Sequence, residues 1–361
     1  MTPEPGAILE VDLGAIVRNW RELCDRHSRG AVAGVVKADA YGLGAARVVP
    51  ALYAAGCRYF FVAHLSEALR IRPLAPDATV AVLNGLAEAD AELYVESAIA
   101  PVLGSVGEIA TWHRTAAARG TRLPALLHVD TGMARLGLDA RELKELRRDP
   151  ALLEGIDVRF VMTHLVSAEV PEDPLSEGQL RRFRTAAAGL PPARQSIANS
   201  SGIFLGSAFQ SDLARPGAAL YGVNPTRAPQ NPMHPVATLR SRVLQVREIE
   251  PGETVGYNAT WTAPRRSRIA TVPVGYADGW LRSHSNRGHA CFDGQAVPLV
   301  GRVSMDLTTF DVTDHPAIAP GTWLELIGPS RTVDAVAETA GTNGYEILTS
   351  LGPRFHRIYR G

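Results

Sequence analysis

The stretch Val35-Val36-Lys37-Ala38-Asp39-Ala40-Tyr41-Gly42-Leu43-Gly44 decides the fold. Val32 to Val36 form a short apolar run that reads as a buried strand, and Lys37 stands at its C-terminal end. Tyr41, Gly42 and Gly44 follow, then a helix-like stretch from Ala45 to Ala55. A lysine at a strand end is usually solvated. A desolvated one loses its proton more easily and becomes an amine that condenses with carbonyl compounds to a Schiff base. What surrounds Lys37 in the rest of the chain decides between the two.

Similar runs recur through the first two-thirds of the chain. Strand-like segments appear at 7–13, 31–37, 59–63, 79–83, 100–103, 125–129, 158–162, 196–198 and 218–221. Most are continuously apolar, as strands covered on both faces are. Amphipathic stretches separate them, including 15–24, 106–118, 141–148 and 176–189, with Ser66 and Ser176 as helix starts. Repeats of this length imply parallel βαβ connections. About eight of them suit a closed (β/α)8 TIM-type barrel, with a doubly wound open sheet as the alternative. Past the turn-rich segment 224–232, helix patterns nearly vanish and glycines punctuate short alternating runs. That texture reads as a mainly-β C-terminal domain. The expected division is a barrel over 8–230 and a β domain over 231–361, with residues 1–7 packing with the latter.

The chain has 361 residues, 46% of them hydrophobic and 20% charged, with 37 basic and 37 acidic side chains. A balance of zero gives no support to a nucleic-acid partner. No run of eighteen apolar residues suggests a membrane span. The N-terminal segment has neither a basic nor an apolar signal region, so a cytoplasmic protein is expected. Cys24, Cys57 and Cys291 lie far apart without a C-x-x-C pattern, and no metal site is expected.

In such a barrel the active site lies at the C-terminal ends of the strands. The polar residues there are Lys37, Tyr41, Asn84, Asp130 to Arg135, His164, Asn199, Ser200, Ser201 and Arg215. Any one alone is unremarkable, since a lone histidine is more often structural. Their shared placement is the signal. Gly217 has no Cβ, so its backbone N–H and that of Ala218 can come close to a ligand. Barrel phosphate sites often follow strands 7 and 8. No P-loop or strand-following G-x-G-x-x-G is present. A strand-end lysine with a late-barrel phosphate cradle is a layout for pyridoxal 5′-phosphate.

The decade around Lys37 resembles the cofactor-attachment motif of the pyridoxal-phosphate-dependent (fold-type III) alanine racemases. The resemblance continues in order through Asp130-Thr131-Gly132-Met133-Ala134-Arg135-Leu136-Gly137, Met162-Thr163-His164-Leu165, Ala198-Asn199-Ser200-Ser201 and Arg215-Pro216-Gly217. It then reaches Val255-Gly256-Tyr257, Val274 to Trp280, Gly301 to Asp306 and Asn343 to Glu346. An ordered set spanning most of the chain is specific where single motifs are weak.

The resemblance implies an amino-acid isomerase that interconverts L- and D-alanine and supplies D-alanine for peptidoglycan. Racemases of serine or of basic amino acids on the same fold are the alternative. It implies a homodimer with shared sites, in which Lys37 carries the cofactor and acts as one base. Tyr257 of the other subunit acts as the second base, helped by His164 and Arg215. By the same resemblance Tyr41, Asn199, Ser200, Gly217, Ala218 and Tyr345 hold the cofactor, with Arg215 at its ring nitrogen. Arg135, Met305 and Tyr276 bind the substrate. One departure concerns His128, where many family members have a carbamylated lysine whose charge holds the arginine. The expectation is that chloride or another carboxylate takes that place, assisted by a protonated His128. Ala134, where glycine is common, is a second departure.

Overall fold

The computed structural model describes residues 4–361. The expected packing of residues 1–7 with the β domain therefore falls partly on residues 1–3, outside those described. The first large sheet has nine hydrogen-bonded segments, and its two ends are Ala31–Val32 and Gly34–Val35. Those two are consecutive pieces of one strand. Ala31–Val32 pairs with Leu213–Ala214 and Gly34–Val35 pairs with Tyr59–Val62, all in parallel. The sheet thus closes on itself as an eight-stranded parallel barrel wrapped by helices. The backbone seals the seam: Ala33 N–H donates to Ala214 O at 2.9 Å and Val36 N–H to Phe61 O at 2.8 Å.

Small and large apolar side chains fill the barrel, among them Ala33, Val35, Phe61, Ala81, Val102, Leu126, Phe160 and Met162. A larger apolar layer lies between the strands and their helices, built from residues such as Leu23, Val48, Val80, Leu127 and Phe183. Continuous burial explains the unbroken apolar runs of Tyr59–Val62, Thr79–Val82 and Ala100–Leu103.

Two strand readings change. The segment 218–221 is not a strand but a short helical turn, Ala218–Tyr221, closed by Gly222 at φ 81°. Pro216 and Gly217 precede it, and all four of its residues are buried, so it reads as apolar without being extended. The true last barrel strand is the two-residue Leu213–Ala214. The strand Ala7–Asp12, taken as the opening of the alternating barrel region, belongs instead to the C-terminal sheet. It pairs antiparallel with Ala237–Arg242 and parallel with His356–Arg360. Its alternating burial marks a strand with one covered face.

The remainder is mainly β. Besides that six-stranded sheet there are a three-stranded sheet (Gln245–Ile249, Ser267–Val272, Thr308–Asp311) and the two-stranded ribbon Thr254–Val255 with Trp261–Thr262. The helices Val333–Ala340 and Gly344–Ser350 carry the chain back toward the barrel mouth. Arg357 Nη1 donates to Gly42 O at 2.6 Å, tying the last strand to the turn after Lys37.

Candidate active site

Lys37 follows Gly34–Val35 at the C-terminal mouth of the barrel and opens into a cavity of about 330 Å³. That volume lies in the ~300–1,000 Å³ range of small-molecule sites. The same cavity is lined by Tyr41, Arg135, His164, Asn199, Ser200, Arg215, Gly217, Ala218 and Tyr345. The structure therefore brings together most of the strand-end residues singled out from the sequence, whereas Asn84 and Asp130 do not line the cavity. Leu83, Met133, Val166 and Glu169 also line it. Met133 lies within the Asp130–Arg135 stretch read from the sequence; Leu83, Val166 and Glu169 were missed because nothing in their local sequence distinguishes them from ordinary loop and core positions.

Burial lowers the Lys37 pKa, and Arg135 lowers it further, while Glu67 opposes the shift. The amine is thereby biased toward its neutral, nucleophilic form. Arg215 is buried, with its pKa pushed down by desolvation to about 10, so it remains a cation at neutral pH. Its guanidinium donates to Ser196 Oγ and to Thr163 O, the carbonyl preceding His164. Thr163 is fixed in turn by Thr131, 2.7 Å away between hydroxyls, and by Val129 O. Gln179 Nε2 donates to Thr131 Oγ1 at 3.0 Å and to His164 O at 2.9 Å. Burial first, then Arg215, hold His164 at about 3, so its imidazole is neutral.

On the opposite wall, Ser200 Oγ accepts the backbone N–H of Gly217 at 3.0 Å and of Ala219 at 3.2 Å. The Ala218 N–H between them has no protein partner among the described residues, and Ala218 lines the cavity. Tyr41 stacks on Tyr221 at 4.8 Å and meets Tyr345 edge-on at 6.3 Å. Tyr221 is anchored by donating to Val35 O at 2.9 Å. Asn199 is partly engaged elsewhere: its Nδ2 donates to Leu165 O at 3.3 Å, and its Oδ1 accepts Gly202 N–H at 2.9 Å.

Arg135 sits on a loop shaped by Asp130, whose carboxylate accepts the N–H groups of Gly132, Met133 and Ala134. Among the described residues no carboxylate lies within 4.0 Å of Arg135. The expected carboxylate neighbour is therefore absent there. Nor is His128 charged at neutral pH: burial, then Arg215, push its pKa down to about 4.

Tyr257, Tyr276 and Met305 do not reach the cavity of their own chain. They are 65%, 44% and 54% exposed on the β domain. Two of them are fixed to each other through backbone: Tyr276 N–H donates to Ser304 O and Ala277 N–H to Met305 O, both at 3.0 Å. Arg354 bridges the buried Asp278 at 2.6 Å and Asp306 at 2.7 Å, pinning the same two loops. Gly256 at φ 78° turns the chain into Tyr257 beside the backbone of Gly301 and Arg302.

The family models "Alanine racemase, N-terminal domain" and "Alanine racemase, C-terminal domain" match residues 11–225 and 236–359. The chain belongs to the alanine racemase family. It is 56% identical over 352 residues to the alanine racemase of Acidiphilium cryptum, covering 98% of both chains. With the alanine racemase of Rhodospirillum rubrum it shares 52% over 359 residues, 98% of this chain and 96% of that one. The crystal structure of alanine racemase from Bartonella henselae with covalently bound pyridoxal phosphate superposes with a TM-score of 0.96 at 42% identity, covering 99% of this chain and all of that one. The family membership accounts for the barrel followed by a mainly-β domain.

Proposed function

We propose that the protein is a pyridoxal 5′-phosphate-dependent alanine racemase that interconverts L- and D-alanine with two bases, Lys37 and the partner subunit's Tyr257. The observation that carries this reading is the single cavity joining Lys37, Arg135, His164, Arg215 and the Ser200–Gly217 wall in a member of this family. The residues fit the cofactor. A Cβ on Gly217 would collide with the Tyr41 hydroxyl, so glycine leaves room for a close approach. The free Ala218 N–H and the hydroxyls of Tyr41, Ser200 and Tyr345 suit a phosphate. The buried Arg215, with no carboxylate partner among the described residues, offers a donor to a ring nitrogen.

The bound cofactor would supply an electron-withdrawing ring that acidifies the substrate Cα–H. Lys37 Nζ, its proton affinity lowered by burial, takes the proton from one face. The partner subunit's Tyr257 hydroxyl delivers one to the other face, and the roles exchange in reverse. Neutral His164 and charged Arg215 form the polar path behind that tyrosine. Arg135 grips the substrate carboxylate, and the partner subunit's Tyr276 and Met305 narrow the entry to a methyl side chain. Exposure of those three residues on their own chain is what a shared site in a homodimer requires. In a bacterium the enzyme would act in the cytoplasm, supplying D-alanine for peptidoglycan.

The test is racemisation of L-alanine, L-serine and L-lysine with Cα-deuterium exchange read alongside, for the wild type and Tyr257→Phe. Fast turnover of alanine and collapse of the variant are the expected results. Preference for lysine or serine would overturn the substrate, and absence of Cα exchange in cofactor-loaded protein would overturn the reaction.

A further inference from the structure

Immediately after Lys37 the backbone does something L-residues avoid. Ala38, Asp39, Ala40 and Tyr41 all have left-handed conformations, with φ of 52°, 53°, 56° and 54°. None is glycine, and each costs roughly 1–2 kcal/mol relative to the right-handed form. Strain of this kind persists only where the surroundings over-determine it. The turn joins Lys37 to Tyr41, so its shape sets the distance between the amine and the phosphate wall.

One side chain outside the cavity engages the entry to this turn. Glu67 Oε1 accepts the N–H of Ala38 at 2.6 Å, while its Oε2 accepts Ala63 N–H at 2.8 Å and His64 N–H at 3.1 Å. Ala63 and His64 directly follow the neighbouring barrel strand Tyr59–Val62. One carboxylate thus ties the end of the lysine-bearing strand to the end of the next, through three charge-assisted bonds. Asp39 secures the far side by accepting Ala45 N–H at 2.7 Å.

Resting on the racemase reading, we infer that Glu67 is a positioning residue: its carboxylate clamps the left-handed turn and thereby holds Lys37 and Tyr41 in catalytic register. It touches neither substrate nor cofactor. A glutamine at 67 keeps one acceptor oxygen but turns an NH2 toward N–H donors on the other side. An aspartate keeps the charge but is too short to reach both strand ends.

The experiment compares holoenzymes of wild type, Glu67→Gln, Glu67→Asp and the double variant Glu67→Gln/Ala38→Gly. Glycine adopts the left-handed conformation without penalty, so it should hold the turn when the clamp is gone. The readouts are the rate of cofactor loss into a trap, kcat and KM for alanine, and Tm. Glu67→Gln and Glu67→Asp should both lose cofactor about tenfold faster and lower kcat by about tenfold or more, with KM within about threefold. The double variant should recover most of the loss. Unchanged cofactor release in Glu67→Gln would overturn the inference. So would wild-type behaviour of Glu67→Asp, which would leave charge alone as the cause, or failure of the glycine to restore the double variant. Wild-type alanine turnover reports on the racemase reading separately, whereas the variant-to-wild-type ratios of cofactor release report on Glu67.

Discussion

Tyr41 and Gly217 are matched by subtraction: the tyrosine hydroxyl occupies the space that a Cβ on residue 217 would need. Tyr41 has little room to retreat, because Tyr221 is stacked on it and is itself tied to Val35 O. Gly217→Ala should therefore displace the Tyr41 hydroxyl and tilt the Ser200–Ala218 wall. Cofactor affinity is expected to fall by about tenfold or more, and fold stability by about 1–3 kcal/mol, the usual cost of forcing a methyl group where its neighbours have little room to move. Equilibrium titration of the apoprotein with pyridoxal 5′-phosphate checks this, and wild-type affinity would refute the steric account.

His284 links the β domain to acid sensitivity. It is fully buried, stacks on Trp280 at 4.5 Å, and neither ring nitrogen has a partner among the described residues. Burial, then Arg331, lower its pKa to about 4. In the unfolded chain the group titrates near 6.5, so the unfolded state takes up the proton first as pH falls. Its contribution to stability is intact above pH 6.5 and is lost progressively toward pH 4, by about 2 kcal/mol at pH 5. Buried His128 acts in the same direction. Denaturant titrations at pH 7 and pH 5 should show a smaller acid loss in His284→Phe than in the wild type. An identical loss in both would contradict the assignment.

Ala134 holds φ 55° within the loop that presents Arg135, a conformation better suited to glycine. Asp130 keeps the loop in place through its N–H contacts. Ala134→Gly relieves the steric penalty while adding unfolded-state entropy, so stability should change by less than about 1 kcal/mol, toward the stabilised side. A chemical denaturation curve measures it. Clear destabilisation would mean that the alanine side chain contributes packing there.

Much of this architecture was legible in the sequence, for reasons that differ by element. The barrel strands Tyr59–Val62, Thr79–Val82 and Ala100–Leu103 are nearly or fully buried, and continuous apolar runs announce that. Leu213–Ala214 is too short to leave a pattern, and the buried turn Ala218–Tyr221 imitates a strand. Ala7–Asp12 carried its own clue in the polar Glu10 and Asp12, which alternate with the buried Leu9 and Val11. Lys37, His164 and Arg215 were readable because strand ends in a barrel converge on one mouth. The left-handed turn at 38–41 was hidden, since Ala, Asp, Ala and Tyr do not signal positive φ. Glu67 looked like an ordinary first-turn helix acid, because its contacts to Ala38 are formed only by the tertiary fold.

The most direct test of the central claim is subunit mixing. Lys37→Ala and Tyr257→Phe proteins should each be nearly inactive on alanine as pure dimers. When the two are unfolded and refolded together, random pairing makes half of the dimers mixed. Each mixed dimer has one intact site, combining Lys37 of one chain with the partner subunit's Tyr257. Alanine racemisation should then recover to about a quarter of the wild-type value. No recovery, with mixed dimers shown to have formed, would contradict a site shared between subunits.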